Sequence, residues 1–221
     1  MVIAIDGPAG SGKSTIARIL AQKLDLFFLN TGSFYRGITL ALLRHVGGDA
    51  SGHGGSDPDF SDKDAIADFA KTVPIRNFQG QICLGDENIE NYIRSDRVEA
   101  FVAPLSAIVA VRHVVNEKFR EIAKHTGVVC EGRDMTTVVF PDADYKFYLD
   151  ASVQARARRR FSQGTSSKDL SEIEASIAAR DEVDKNKAEG SLKIAPDALY
   201  IDTSDLTIEQ VCDIMISKIH L

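Results

Sequence analysis

Gly7-Pro8-Ala9-Gly10-Ser11-Gly12-Lys13-Ser14 matches G-x-x-x-x-G-K-[ST] in full, and Thr15 follows it. The apolar run Val2 to Ile5 comes just before it. An amphipathic stretch starts inside it, with Ile16, Ile19, Leu20 and Leu24 on one face of a helix predicted over 13–24. A strand, a glycine loop and a helix in this order make a phosphate-binding loop. Glycines let the backbone curl so that successive N–H groups point inward. The helix N-terminus adds partial positive charge. Lys13 reaches the β- and γ-phosphates, and the Ser14 hydroxyl can sit on Mg²⁺. The motif therefore assigns Gly7, Pro8, Ala9, Gly10, Ser11, Gly12, Lys13, Ser14 and Thr15 to ATP or GTP.

The rest of the chain alternates short apolar runs with longer helical segments. Further strands are expected at Leu26–Leu29, Val128–Cys130, Tyr145–Leu149 and Ala198–Ile201, and helices at 34–46, 62–71, 95–125, 152–162, 169–188 and 207–219. Strands that are apolar on both faces suit a parallel sheet covered on both sides. The alternation predicts a doubly wound, three-layer α/β/α fold on a five-stranded parallel core sheet. Two segments interrupt it. Residues 47–61 hold five of the chain's 16 glycines and read as a flexible loop. Residues 73–93 read as a small antiparallel meander turning at Gln79-Gly80 and Gly85-Asp86, an inserted subdomain in an otherwise parallel pattern.

Composition narrows the function classes. The 221 residues carry 26 Lys+Arg against 32 Asp+Glu, a net charge of −6. That argues against sequence-independent binding to nucleic acid or anionic lipid. Cys83, Cys130 and Cys212 are scattered and odd in number, which suits a reduced, cytoplasmic setting rather than a disulfide framework. The histidines show no zinc spacing. No apolar run nears a membrane span, and the N-terminus reads as lacking a leader. With no obvious spare apolar face, a monomer is expected.

Asn186-Lys187-Ala188-Glu189 and Asp49-Ala50-Ser51-Gly52 are only near misses to the base and switch motifs of a GTPase. Arginine-rich clusters instead follow the strands: Asn30-Thr31-Gly32-Ser33-Phe34-Tyr35-Arg36, Glu131-Gly132-Arg133-Asp134-Met135, and Asp150 to Ser152 with Arg156, Arg159 and Arg160. In open α/β sheets, ligands bind beyond the carboxyl ends of the strands. A small anionic second substrate beside the ATP phosphates is the reading these clusters favour. A kinase of another small molecule (UMP, AMP or shikimate) and a non-catalytic nucleotide-binding regulator are the competing readings.

These residues resemble the bacterial cytidylate kinase family over nearly the whole chain, in GPAGSGKST, LNTGSFYR, EGRDMTTVVFP and IDTS. The resemblance implies the nucleoside-monophosphate kinase variant of the P-loop fold and transfer from ATP, with Mg²⁺ at Ser14, to CMP and dCMP. It divides a single domain into a core of about 1–32, 105–160 and 191–221, a monophosphate-binding insert of about 33–104, and a mobile lid of about 161–190 with Gly164 and Gly190 near its ends. It implies acceptor contacts from Thr31, Tyr35, Arg36, Arg112, Arg133, Asp134, Arg180, Asp184 and Lys187. Arg36 clamps the acceptor phosphate, Arg112 meets cytosine, and Asp134 accepts from the exocyclic amine. Lys13, Arg133, Arg156, Arg160 and Arg180 surround the transferring phosphoryl group, and Arg159 joins the ATP contacts. The chain departs from the family at Asn30 for aspartate, at Ala103 for a base-contacting serine that Ser106 is placed to replace, and at Lys187 for arginine.

Overall fold

The computed structural model describes residues 1–78, 81–162, 169–187 and 189–220. The expected Gln79-Gly80 turn and, of the expected lid, residues 163–168 with Gly164 and residue 188 lie outside them. The chain divides into two compact units, Met1–Phe28 with Ala123–Leu221, and Leu29–Ile122.

The first unit is organised by a five-stranded parallel sheet in the order β2 (Phe27–Asn30), β6 (Val128–Gly132), β1 (Val2–Asp6), β7 (Tyr145–Asp150), β8 (Leu199–Asp202). The five predicted strands are these five. Their register aligns the carboxyl ends of the three inner strands: Asp6 pairs with Gly132 on one side and Tyr148 on the other. Helix α1 (Lys13–Lys23) and helix α8 (Ile208–Ile216) close one core, in which Ile3, Ile5, Ile16, Leu20, Val129, Phe147, Leu149, Val211 and Met215 are buried. Helix α6 (Val153–Ser162) and helix α7 (Leu170–Lys185) form a smaller cluster through Ala157, Ile173 and Ile177. A reciprocal capping box between Asp169 and Glu172 starts α7, so its first orphan N–H groups are satisfied.

The second unit holds α2 (Thr31–His45), α3 (Lys63–Thr72), the antiparallel strands β3 (Ile75–Phe78), β4 (Gln81–Leu84) and β5 (Glu87–Asn88), α4 (Asp96–Ser106) and most of α5 (Val109–His125). The predicted meander is therefore present. Gly37 lets α2 approach it: a Cβ there would come 2.4 Å from Ile75 Cδ1.

One expectation fails in this unit. Residues 95–125 are not one helix. α4 and α5 meet at 99°. Pro104 removes a backbone donor inside α4, and the last turn tightens, with Ala107 N–H donating to both the Ala103 and Pro104 carbonyls and Ile108 N–H to Leu105. Ile108 is buried in the break, and Arg112 Nη1 donates to the released Ser106 carbonyl at 3.4 Å. Segment 47–61 is a loop, as expected, and two arginines bond to it. Arg44 donates to the Ala50 carbonyl, and Arg97 to the Gly54 and Ser56 carbonyls and the Asp57 carboxylate. Glycine count alone gave no hint of these arginines. In the first unit, α7 also stops at Lys185, short of the predicted 188, so Lys187 lies past its C-cap Asn186.

Candidate active site

The loop after β1 shows why its glycines are needed. Gly7 has φ +154°, and a Cβ on it would come 2.1 Å from the Leu149 carbonyl oxygen, so no other residue fits. Gly12, the N-cap of α1, sits at φ +89° and offers no side chain to cap the helix, which leaves the first N–H groups of α1 for an anion. Ser11 is fully buried and its Oγ has no partner among the described residues. A desolvated hydroxyl without a partner is costly. Phosphate oxygens would satisfy it.

Lys13 is 5% exposed and its Nζ donates to the Pro8 carbonyl at 2.9 Å, which curls the lysine back over its own loop. Burial pushes its pKa down to about 7, Arg133 and Arg180 push the same way, and Glu131 and Asp6 oppose them. Ser14 Oγ donates to Glu131 Oε1 at 2.8 Å, and Glu131 Oε2 stands 4.0 Å from Lys13 Nζ. Asp6, the last residue of β1, is fully buried and accepts from Met135 N–H and from both the N–H and hydroxyl of Thr136. It thereby ties the loop carrying Arg133 and Asp134 to the root of the phosphate loop. Burial raises its pKa to about 6, against the pull of these hydrogen bonds.

Most of the predicted arginines of this unit are tied to carboxylates or carbonyls. Arg133 Nε donates to Asp184 at 2.8 Å, and Lys187 Nζ donates to the other oxygen of the same carboxylate at 2.8 Å. Burial alone would raise the Asp184 pKa, but Arg133 and Lys187 hold it below the usual carboxylate range. Arg156, expected beside the transferring phosphoryl group, is instead buried against Asp181 of α7, with its donors directed at Ala9, Ala151 and Asp181. Arg159 bonds Thr203, whose hydroxyl touches the Ser11 carbonyl at 3.2 Å. Arg160 and Arg180 are exposed, although Arg180 acts electrostatically on Lys13. Asp134 is buried. Thr15 is exposed on the outer side of α1.

In the second unit, Asn30 caps α2 by accepting from Ser33 N–H at 3.0 Å, so its departure from the family aspartate keeps the cap. Thr31 is buried in the first turn. Arg36 pairs with Glu99 in a two-pronged contact at 2.8 and 3.3 Å. The Arg112 guanidinium lies 6.0 Å from the centre of the Tyr35 ring. Ser106 Oγ donates to the Ala103 carbonyl at 3.1 Å.

Four residues of this geometry escaped sequence reasoning. Glu131 stood inside the EGRD run without a role, and Asp6 closed an apolar strand directly before the motif. Both could have been flagged as acids flanking a phosphate loop. Asp181 and Thr203 meet partners 25 and 44 residues away, and no spacing rule reaches that far.

A family model described as cytidylate kinase matches residues 3–221. A cytidylate kinase of Borreliella burgdorferi is 40% identical over 223 residues, covering all of this chain and 97% of that protein, and one of Borrelia hermsii is 40% identical, covering 99% of its length. Among solved structures, a shikimate kinase from Bacteroides thetaiotaomicron superposes with a TM-score of 0.51 at 14% identity, covering 98% of this chain and 97% of the other, a likeness of fold alone. Full-length identity at this level, together with the phosphate loop and its ring of charged residues, places the chain in the cytidylate kinase family.

Proposed function

We propose that the chain transfers the γ-phosphoryl group of ATP to CMP and dCMP. One observation carries the reading: a phosphate loop with a buried, unpartnered Ser11 hydroxyl and an uncapped helix N-terminus stands beside Lys13 and Arg133, in a chain of this family. The acceptor is a phosphate, already anionic near neutral pH, so no strong general base is required. Catalysis is then positioning and charge neutralisation. Lys13 and the loop N–H groups hold the β- and γ-phosphates. Arg133, Arg160 and Arg180 neutralise the moving phosphoryl group and the acceptor phosphate, and Arg159 supports the nucleotide. Thr31, Tyr35, Arg36, Arg112, Asp134, Asp184 and Lys187 hold the acceptor, with Asp134 accepting from the cytosine amine, where uracil would present a carbonyl. The lid over 161–190 excludes water, which would otherwise take the phosphoryl group.

The residues present fit Mg²⁺. Ser14 Oγ and the Glu131 carboxylate, 2.8 Å apart, are hard oxygen donors. Mg²⁺ keeps several waters and phosphate oxygens in its shell, so one or two protein oxygens are enough to hold it. When bound, the ion supplies positive charge between the phosphates. We read the chain as a cytoplasmic enzyme of pyrimidine nucleotide metabolism, acting as a monomer on small molecules, without nucleic acid or membrane; the free thiols of Cys83, Cys130 and Cys212 suit the reducing compartment and bear on none of the other points.

The test is ADP release from Mg·ATP with CMP, dCMP, UMP and AMP in parallel. Turnover with CMP and dCMP well above the others is expected, and Lys13→Ala should lower it by several orders of magnitude. Activity of that variant within a few-fold of the parent, or no turnover with any monophosphate, overturns the reading.

A further inference from the structure

Arg156 is the most completely buried of the arginines described above, at 3% exposed. Four of its five N–H donors are already directed at protein acceptors. Nε donates to the Ala151 carbonyl at 2.8 Å, Nη1 to the Ala9 carbonyl at 3.1 Å and to Asp181 Oδ1 at 3.0 Å, and Nη2 to Asp181 Oδ2 at 2.5 Å. A single N–H of Nη2 remains without an acceptor among the described residues. Its stem runs alongside the loop: a Cβ added to Gly10 would lie 3.4, 3.7 and 3.8 Å from Arg156 Cβ, Cγ and Cδ, ordinary contact distances. Ala9 is therefore held by a hydrogen bond from this side chain, and Gly10 lies beside its stem.

Asp181 is itself 6% exposed, and both its oxygens are spent on Arg156. A guanidinium taken this far out of water needs a counter-charge in contact. Among the described residues Asp181 is the carboxylate that supplies it. One turn on, Asp184 holds Arg133, so the buried face of α7 carries two carboxylates three residues apart.

We infer that Asp181 is a positioning residue for ATP: it holds Arg156 under the phosphate loop, and the pair acts by fixing the shape of that loop rather than by touching phosphate. This rests on the reading of the loop as the ATP site. A loop held in its binding shape beforehand loses no affinity to ordering. Releasing the brace should weaken ATP binding and spare the acceptor. A general loosening of the fold would weaken both.

The experiment uses the full chain. The Mg·ATP dissociation constant, the KM for CMP and the melting temperature are measured for the parent, Asp181→Asn, Asp181→Glu and Arg156→Lys, with binding read well below each melting point. Asp181→Asn, nearly isosteric but uncharged, should weaken Mg·ATP binding about 10- to 100-fold, the range a small misplacement of binding groups produces. The KM for CMP should stay within about twofold. Arg156→Lys, which keeps the charge but loses the fork, should weaken ATP in the same way. Asp181→Glu, which keeps the charge, should recover part of the affinity. An Asp181→Asn protein that melts lower yet binds Mg·ATP like the parent makes the pair merely structural, as does an equal loss for ATP and CMP. If Asp181→Asn does not fold, the two charge-keeping variants decide the matter: unchanged ATP affinity in both overturns the inference. A parent that does not bind Mg·ATP overturns the underlying reading instead.

Discussion

Lys13 should make ATP binding consume protons. Burial, reinforced by Arg133 and Arg180, lowers its pKa to about 7, although Glu131 and Asp6 partly compensate. The polyphosphate places several negative charges at Nζ and restores the ammonium. If Lys13 is charged throughout in the complex, affinity falls with pH as 1 + 10^(pH − 7). That is roughly 50-fold between pH 7 and pH 9, or about 2.3 kcal/mol. Proton uptake per ATP bound rises over the same range, from about 0.5 at pH 7 to about 0.9 at pH 8. Asp6, with its pKa raised to about 6 by burial, titrates below this window and adds little to it. Calorimetry of Mg·ATP binding in two buffers of different ionisation enthalpy reads the uptake directly, and Lys13→Met should abolish the slope. Uptake near zero at pH 8 with an affinity flat from pH 7 to 9 would refute the reasoning, because it would mean that Pro8 and Glu131 already keep the buried ammonium charged. The same shift has a stability counterpart. The unfolded lysine keeps its proton up to its ordinary pKa near 10.5, while the folded one gives it up near 7. Folding therefore releases a proton between these values, and stability without nucleotide should rise with pH across that window.

Lys187→Arg should leave kcat/KM for CMP equal or better, since an arginine keeps the charge beside Asp184 and adds a fork; a large loss would show that this position does not serve the acceptor. The parent should reject UMP less sharply than Ala103→Ser does, because Ser106 already commits its proton to the Ala103 carbonyl; equal CMP-to-UMP selectivity ratios in the two proteins would sink that idea. Glu131→Gln should raise the Mg²⁺ concentration needed for half-maximal turnover, since it removes the carboxylate beside Ser14 Oγ; an unchanged Mg²⁺ titration would remove Glu131 from the metal's surroundings.

What the sequence made legible was local. The phosphate loop could be read because its chemistry is contiguous: glycines, lysine and serine act within eight residues. The parallel strands could be read because burial on both faces leaves unbroken apolar runs. The bend between α4 and α5 could not, because the 3.6-residue pattern continues on either side of Ala107-Ile108, and the effect of Pro104 appears three residues later in the tightened last turn. A helix predicted to 188 takes in Lys187, but α7 stops at a C-cap, Asn186, that the sequence does not mark. The partners of the charged side chains were the least legible. Ser14 meets Glu131 from 117 residues away, Arg36 meets Glu99 from 63, and Arg133 meets Asp184 from 51. Side-chain spacing rules for helices and strands reach a few residues; only the fold sets these distances.

The pairings follow from a constraint that composition hides. A site for polyphosphate needs several cations, and here they belong to a chain of net charge −6, with Lys13, Arg156 and, largely, Arg133 withdrawn from water. Each withdrawn cation needs a nearby anion or it loses its proton or its burial. Arg156 and Arg133 receive one each, from Asp181 and Asp184 on the same face of α7. Among the described residues Lys13 has Glu131 at 4.0 Å, a carboxylate already bonded to Ser14, with Asp6 adding a weaker pull. It is therefore the cation with the weakest compensation, and the one whose pKa falls to about 7. The arginines are paired by carboxylates through their planar forks and hold the architecture; the lysine is left for the phosphate to charge. In that division of labour, α7 sets the frame and Lys13 responds to the ligand. Proton uptake should then disappear with Lys13 and survive the removal of either α7 carboxylate.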